Sequence, residues 1–230
     1  MSKPMAVIIG VGDGLSASLA RVLSGAGYDL VLAARNVAKI KDLAAQVGAG
    51  TVAADAADPE AVDALFDGLA ATPRVVIYNP SARVRGPIAE LDPEAVRKAV
   101  EVTAFGAFLA GRAAARAMLQ NDGDVRGTIL FTGASAGVKG FANSASFAMG
   151  KFAQRGLAQA MARELHPKGI HVAWVNIDGA IRNPGREEPA DRPDSMLCPD
   201  AIARAYLGVI EQDRSAWSDE LTLRPWVESY

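Results

Sequence analysis

The sequence predicts an α/β protein, a doubly wound fold whose seven-stranded, mostly parallel sheet is covered by helices on both faces. Two observations predict it. Short β-branched apolar runs alternate with longer Ala-, Leu- and Arg-rich runs of helical period, the order of repeated βαβ units. A glycine cluster also stands between the first apolar run and the first helical one, where an α/β sheet turns its chain. A chain of 230 residues, 50% of them hydrophobic, can bury one sizeable core, and no stretch is rich enough in linker residues to divide it. Residues 1–230 therefore read as a single domain.

In chain order, strands are expected at AVIIG from Ala6, YDLVLAA from Tyr28, TVAAD from Thr51, RVVIYN from Arg74, GTILFTG from Gly127, IHVAWVNI from Ile170 and ELTLRP from Glu220. Helices are expected to start near Gly14, Asn36, Pro59, Pro93, Ser144 and Pro199, several of them opened by Asn, Asp or Pro, as helix N-termini often are. The runs AVRKAVEVTAFGAFLAGRAAARAML and Ser144 to Leu165 carry small residues at helical spacing, suited to close helix contact. From Arg182 to Pro199, proline and charge crowd together without period, which reads as a mobile flap over a substrate site (182–199).

Composition removes several functions. With 24 basic against 26 acidic residues no broad field exists to hold nucleic acid or an anionic membrane. The single Cys198 forms no internal disulfide, and with His166 and His171 alone beside it there is no metal-ligand cluster. No apolar run approaches a bilayer span, and no signal sequence is evident, so a soluble protein of the reducing cytoplasm is expected.

The first motif is Gly10-Val11-Gly12-Asp13-Gly14-Leu15, set between a strand and a helix. A glycine turn there lets backbone approach a pyrophosphate, while the helix N-terminus offers free N–H groups and a positive dipole end. Gly10-x-x-x-Gly14-Leu15 resembles the cofactor loop of short-chain dehydrogenases/reductases, with Ser16 in place of the last glycine of GxxxGxG. Further positions agree: Asp55 after strand three matches the acidic residue beside adenine, Asn79-Pro80-Ser81 stands for Asn-Ala-Gly, and Asp178-Gly179 stands for Pro-Gly. The resemblance covers nearly the whole chain. It implies a Rossmann-like fold, a nicotinamide cofactor, and contacts to it from Gly10, Gly12, Asp13, Gly14, Leu15, Arg35, Asp55, Ala56, Asn79, Lys151, Gly179 and Ile181.

Cofactor choice is read at the end of strand two. A carboxylate there would bind ribose hydroxyls and repel a 2′-phosphate, but the chain has Ala34 and Arg35, and a guanidinium pairs with phosphate. NADP(H) is favoured; Asp13 argues the other way and keeps NAD(H) open.

Four catalytic positions follow from the resemblance. The asparagine position falls at Thr103; the serine falls at Ala134 in direct register or at Ser135 one residue later; the proton-donating tyrosine falls at Phe147; and the lysine four residues on is Lys151. Carbonyl reduction needs a hydride and a proton, and a phenylalanine ring has none to give. Lys151 keeps the ribose-binding role that the resemblance implies, Ser135 is the best substitute hydroxyl, and Ser144 and Ser146 read as helix caps. Tyr78 reads as packing at a strand end. Arg83 and Arg85 face either an acidic substrate or solvent. Two functions stay open: an oxidoreductase acting on a small carbonyl, alcohol or activated alkene, and an NADP(H)-binding pseudoenzyme that senses or binds partners. The small-residue helices are those the family uses for dimer contact, so a homodimer or homotetramer is expected.

Overall fold

The computed structural model describes residues 3–228; Met1, Ser2, Ser229 and Tyr230, the ends of the span read as one domain, lie outside the described residues. The strands are β1 (Met5–Ile9), β2 (Asp29–Ala34), β3 (Gly50–Ala53), β4 (Val75–Tyr78), β5 (Gly127–Thr132), β6 (Ile170–Ile177), β7 (Ala180–Ile181), β8 (Met196–Leu197) and β9 (Glu220–Leu223). Seven of them form one sheet in the order β3-β2-β1-β4-β5-β6-β9, every neighbouring pair parallel. The chain runs outward from β1 to β3, then returns to start the other half at β4. The crevice between the carboxyl ends of β1 and β4 is thus the point where strand order reverses, which is where open α/β sheets bind ligands.

The apolar runs become strands because both faces are covered. All eight residues of β6 are buried, and successive side chains serve two separate cores. On one face Ala173, Val175 and Ile177 meet α1 (Leu15–Gly25), α2 (Lys41–Val47) and α7 (Pro199–Ile210). On the other, Val172 and Trp174 meet α5 (Gly106–Met118) and α6 (Ala145–Leu165), with α3 (Pro59–Asp67) contributing Leu65 to the same core. Capping explains the helix starts. Asp58 accepts from Glu60 N–H, Asp92 opens α4 (Pro93–Val100) by accepting from Glu94 and Ala95 N–H, and a proline takes the first turn of both helices.

Two features depart from the sequence reading. The run expected as one helix from Ala95 is divided, with a π-helical turn over Glu101–Phe105 joining α4 to α5. Its carbonyls are bonded from outside: the Tyr78 hydroxyl donates to Val102 O, and Gln154 Nε2 donates to Thr103 O at 3.3 Å. The stretch read as structureless is also tied at both ends. Ala180–Ile181 pairs with Met196–Leu197, and Met196 N–H donates to Glu188 Oε1 at 2.9 Å. No helix of the described residues is long and apolar enough to cross a membrane.

Candidate active site

The turn after β1 is held by a small net of polar groups. Gly10 sits at φ +81°, and a Cβ there would stand 2.5 Å from Pro80 Cγ, so only glycine lets the ends of β1 and β4 meet. Ser16 Oγ accepts from Gly12 N–H at 3.1 Å and donates to Gly10 O at 3.3 Å. Asn79 Nδ2 donates to Gly10 O at 3.4 Å and to Ser16 Oγ at 3.3 Å, joining the two halves of the sheet. Where Gly12 would carry a side chain there is open space, and α1 begins without a side-chain cap or an acid in its first turn. Its positive end is left to the crevice. Leu15 is buried in the core, so its share in a phosphate site is its backbone N–H.

Beside this turn lies a cleft of about 310 Å³ lined by Gly10, Ala34, Arg35, Asp55, Ala56 and Asn79 among others. Asp55 Oδ1 accepts from Ala57 N–H at 3.0 Å, which fixes the carboxylate at the cleft edge. The end of β2 brings alanine and arginine into the cleft and no carboxylate. A glycine turn whose Gly12 faces open space, an uncapped helix start and an exposed guanidinium together fit a phosphate-bearing dinucleotide.

A second cleft of about 420 Å³ opens at the carboxyl ends of β5 and β6, lined by Arg83, Arg85, Ser135, Phe147, Ile177 and Gly179 among others. Phe147 is 7% exposed and carries the Arg83 guanidinium 3.8 Å above its ring centroid. Lys151 is 2% exposed, with Nζ 5.9 Å from the same centroid. The Lys151 ammonium donates to Thr132 O and, at 3.3 Å, to Gln154 Oε1. Burial, then the positive charge of Arg83, pulls its pKa down to about 7. Gln154 is itself held, accepting from Trp174 Nε1 at 3.3 Å.

The expected residues therefore fall into four groups. The first cleft gathers Gly10, Arg35, Asp55, Ala56 and Asn79, and the second gathers Ser135, Phe147 and Gly179. Lys151 and Thr103 lie behind the cleft walls, fully buried. Asp13 is exposed on the glycine turn, Gly14 stands beside Asn183, and Ile181 pairs with Leu197 in the β7–β8 ribbon. Both helix-cap readings change. Ser144 makes no side-chain cap bond, and Ser146 Oγ instead accepts from Val84 N–H at 2.9 Å and donates to Val84 O at 3.0 Å. The Thr103 hydroxyl is likewise taken up by a peptide, accepting from Ala82 N–H at 3.0 Å and donating to Ala82 O at 3.4 Å. Tyr78, read as packing, does pack, and its hydroxyl is spent on Val102 O. Sequence reasoning missed Gln154 and Asn183, and it named Pro80 within Asn79-Pro80-Ser81 without its close approach to Gly10. Only Gln154 left a signal, standing three residues from Lys151 on one helix face.

Fold, glycine turn and paired clefts together define an α/β protein with a Rossmann-like sheet and a crevice at its topological switch point. Residues 4–186 match the family model of the short chain dehydrogenases, and the chain belongs to that family. It is similar to the crystal structure of a short-chain dehydrogenase from Rhodopseudomonas palustris, 34% identical over 97% of this chain and 99% of that one, with a TM-score of 0.81. It is also similar to a metagenomic short-chain oxidoreductase solved in complex with NADP, 25% identical over 99% of both chains, with a TM-score of 0.84. Among curated proteins it is 29% identical to the trans-4-hydroxycyclohexanecarboxylate dehydrogenase of Sinomonas cyclohexanicum over 199 residues, 80% of this chain and 74% of the relative.

Proposed function

We propose that this protein is an NADP(H)-dependent oxidoreductase acting on a small carbonyl, alcohol or activated alkene with an atypical active site. The observation that carries the reading is the placement of Arg35, with no carboxylate beside it at the end of β2, in the cleft next to the uncapped start of α1. The likeness to a structure holding NADP supports it, and the likeness to a trans-4-hydroxycyclohexanecarboxylate dehydrogenase supports an alcohol–carbonyl pair as substrate.

In this reading Arg35 pairs with the 2′-phosphate, the glycine turn takes the diphosphate, and Asp55 meets the adenine. The bound cofactor supplies or accepts the hydride. This chain's residues handle the oxygen and its proton. Ser135, on the wall of the second cleft, hydrogen-bonds the reacting oxygen. When a carbonyl is reduced, its carbon gains the hydride and its oxygen gains one proton. Phe147 has none to give, so the proton comes from solvent by way of the Lys151 ammonium, whose pKa near 7 lets it release and regain a proton at neutral pH. Segment 182–199 covers the substrate, held at its base by the β7–β8 pairing. Phe105, Phe108, Met149 and Phe152 leave an exposed apolar stripe on α5, α6 and the π turn, the contact of a homodimer in the cytoplasm.

Phe147 also favours a second reading, an NADP(H)-binding pseudoenzyme with a sensing role. Calorimetry with NADPH and NADH, followed by NADPH oxidation against a panel of aldehydes, ketones and enones, separates the two. Turnover by the wild-type protein is expected. Tight NADPH binding with no oxidation, and carbonyl reduction appearing only in Phe147→Tyr, would replace the enzyme reading with the sensor. Binding of neither dinucleotide would end both.

A further inference from the structure

We infer that the second cleft is built for a substrate bearing an oxyanion group, a carboxylate or phosphate, clamped by Arg83 and Arg85. This deepens the enzyme reading and rests on it for the reaction, but not for the binding. The two arginines alternate along the loop after β4, and both line the cleft with Ser135 and Phe147. None of that cleft's lining residues is acidic.

The loop is constructed to hold them in place. Ala82, before Arg83, has both peptide groups bonded to the Thr103 hydroxyl, and Val84, after it, has both bonded to the Ser146 hydroxyl. Thr103 and Ser146 are each 0% exposed, so two buried side chains are committed to fixing the peptides on either side of one arginine. Gly86 N–H, beyond Arg85, donates to Asn143 O at 3.3 Å. A merely solvated loop arginine needs no such support. Stacking on Phe147 orients the Arg83 guanidinium further, and cation–ring contact tolerates the loss of water on that side.

Both guanidiniums are otherwise unanswered. Among the described residues neither forms an ion pair, while arginines 97, 112, 155, 214 and 224 all do. Neither donates a side-chain hydrogen bond within the described residues. The charges facing Arg83 are cations: partial burial, then Arg85 and then Arg186, weakens its hold on its proton, and Arg83 in turn presses on Lys151. Gathering like charges in a concave site is costly unless an anion completes it, and such a site draws anions in. The planar forks of two arginines match the paired oxygens of a carboxylate or phosphate.

The test has two arms. In the first, succinate and inorganic phosphate are titrated separately by calorimetry into the protein held in saturating NADP+, which occupies the glycine turn and Arg35. Wild type should bind at least one of them, and Arg83→Gln and Arg85→Gln should each weaken that binding at least tenfold while retaining the circular dichroism spectrum of wild type. In the second, NADPH oxidation compares succinic semialdehyde with its methyl ester and levulinate with methyl levulinate. The acid should be favoured at least tenfold in kcat/KM, and the acid-to-ester ratio measured within each variant should fall to about one in Arg83→Gln and Arg85→Gln. Esters used as well as acids by wild type, or anion binding indifferent to both substitutions, overturns the oxyanion site and leaves the redox reading standing. Arginine-dependent anion binding without turnover of any compound keeps the site and removes the redox reading. Preference between succinate and phosphate tells which oxyanion the clamp takes.

Discussion

Replacing Lys151 by methionine should remove one source of the protein's loss of stability in acid. An amine whose pKa drops from 10.5 to about 7 on folding binds its proton more readily in the unfolded chain, so stability is lost as pH falls below 10.5 and levels out below about 7. Integrated between pH 9 and pH 6, this one residue withdraws about 2.6 kcal/mol. Arg83, the charge that adds to the shift, stays protonated throughout and brings no pH dependence of its own. Methionine keeps the apolar stem and removes the titration together with the bonds to Thr132 O and Gln154 Oε1. The assay is urea unfolding of cofactor-free wild type and Lys151→Met at pH 6, 7.5 and 9. The wild-type curve should fall relative to the variant by about 2.6 kcal/mol from pH 9 to pH 6, or about 5 to 10 °C in Tm for a chain of this size. Parallel profiles, agreeing within about 0.5 kcal/mol across that range, would show that the amine is not desolvated and would remove it as a proton carrier.

Arg35→Ala should weaken NADPH binding by about 10- to 100-fold, the worth of a charge-assisted phosphate contact, and leave NADH unchanged, as read by calorimetry with both cofactors; an equal loss for both would place Arg35 away from the 2′-phosphate. Gly106→Ala should destabilise by about 1–3 kcal/mol in urea unfolding, because the new methyl would stand 2.5 Å from Ala56 O and crowd the Tyr78 hydroxyl off Val102.

Most of the fold was legible because its signals are local. Strands covered on both faces are apolar runs wherever they occur, so all seven sheet strands could be placed, and Asn36, Asp58 and Asp92 mark helix starts through bonds to residues two or three positions on. What stayed hidden depends on partners far along the chain. The π turn over Glu101–Phe105 is set by Tyr78 and Gln154, which take its carbonyls from two other elements. β7 and β8 are two residues each, too short for any period. The site divides in the same way. Gly10, Arg35, Asp55 and Asn79 follow strand ends and could be read from position alone. The resemblance assigns Thr103 to the position of a polar catalytic residue, but its hydroxyl goes to the peptide of Ala82, 21 residues earlier. Ser146 reads as a cap by its place before a helix, yet bonds Val84, 62 residues away. Sequence alone does not place Arg83 against substrate or solvent, because its position depends on both of those distant hydroxyls.

The outer border of β6 has a consequence for how the protein is made. Trp174 through Ile177 find their neighbours on that side only in β9, after the flap and α7 have been synthesised. Until the ribosome has delivered Leu223, the outer border of β6 stands unpaired at the margin of a sheet that lacks only its last strand, the kind of template that recruits other chains. Crowded nascent chains should therefore aggregate through this border. Slower translation or a holdase that shelters it should raise the yield of correctly folded protein.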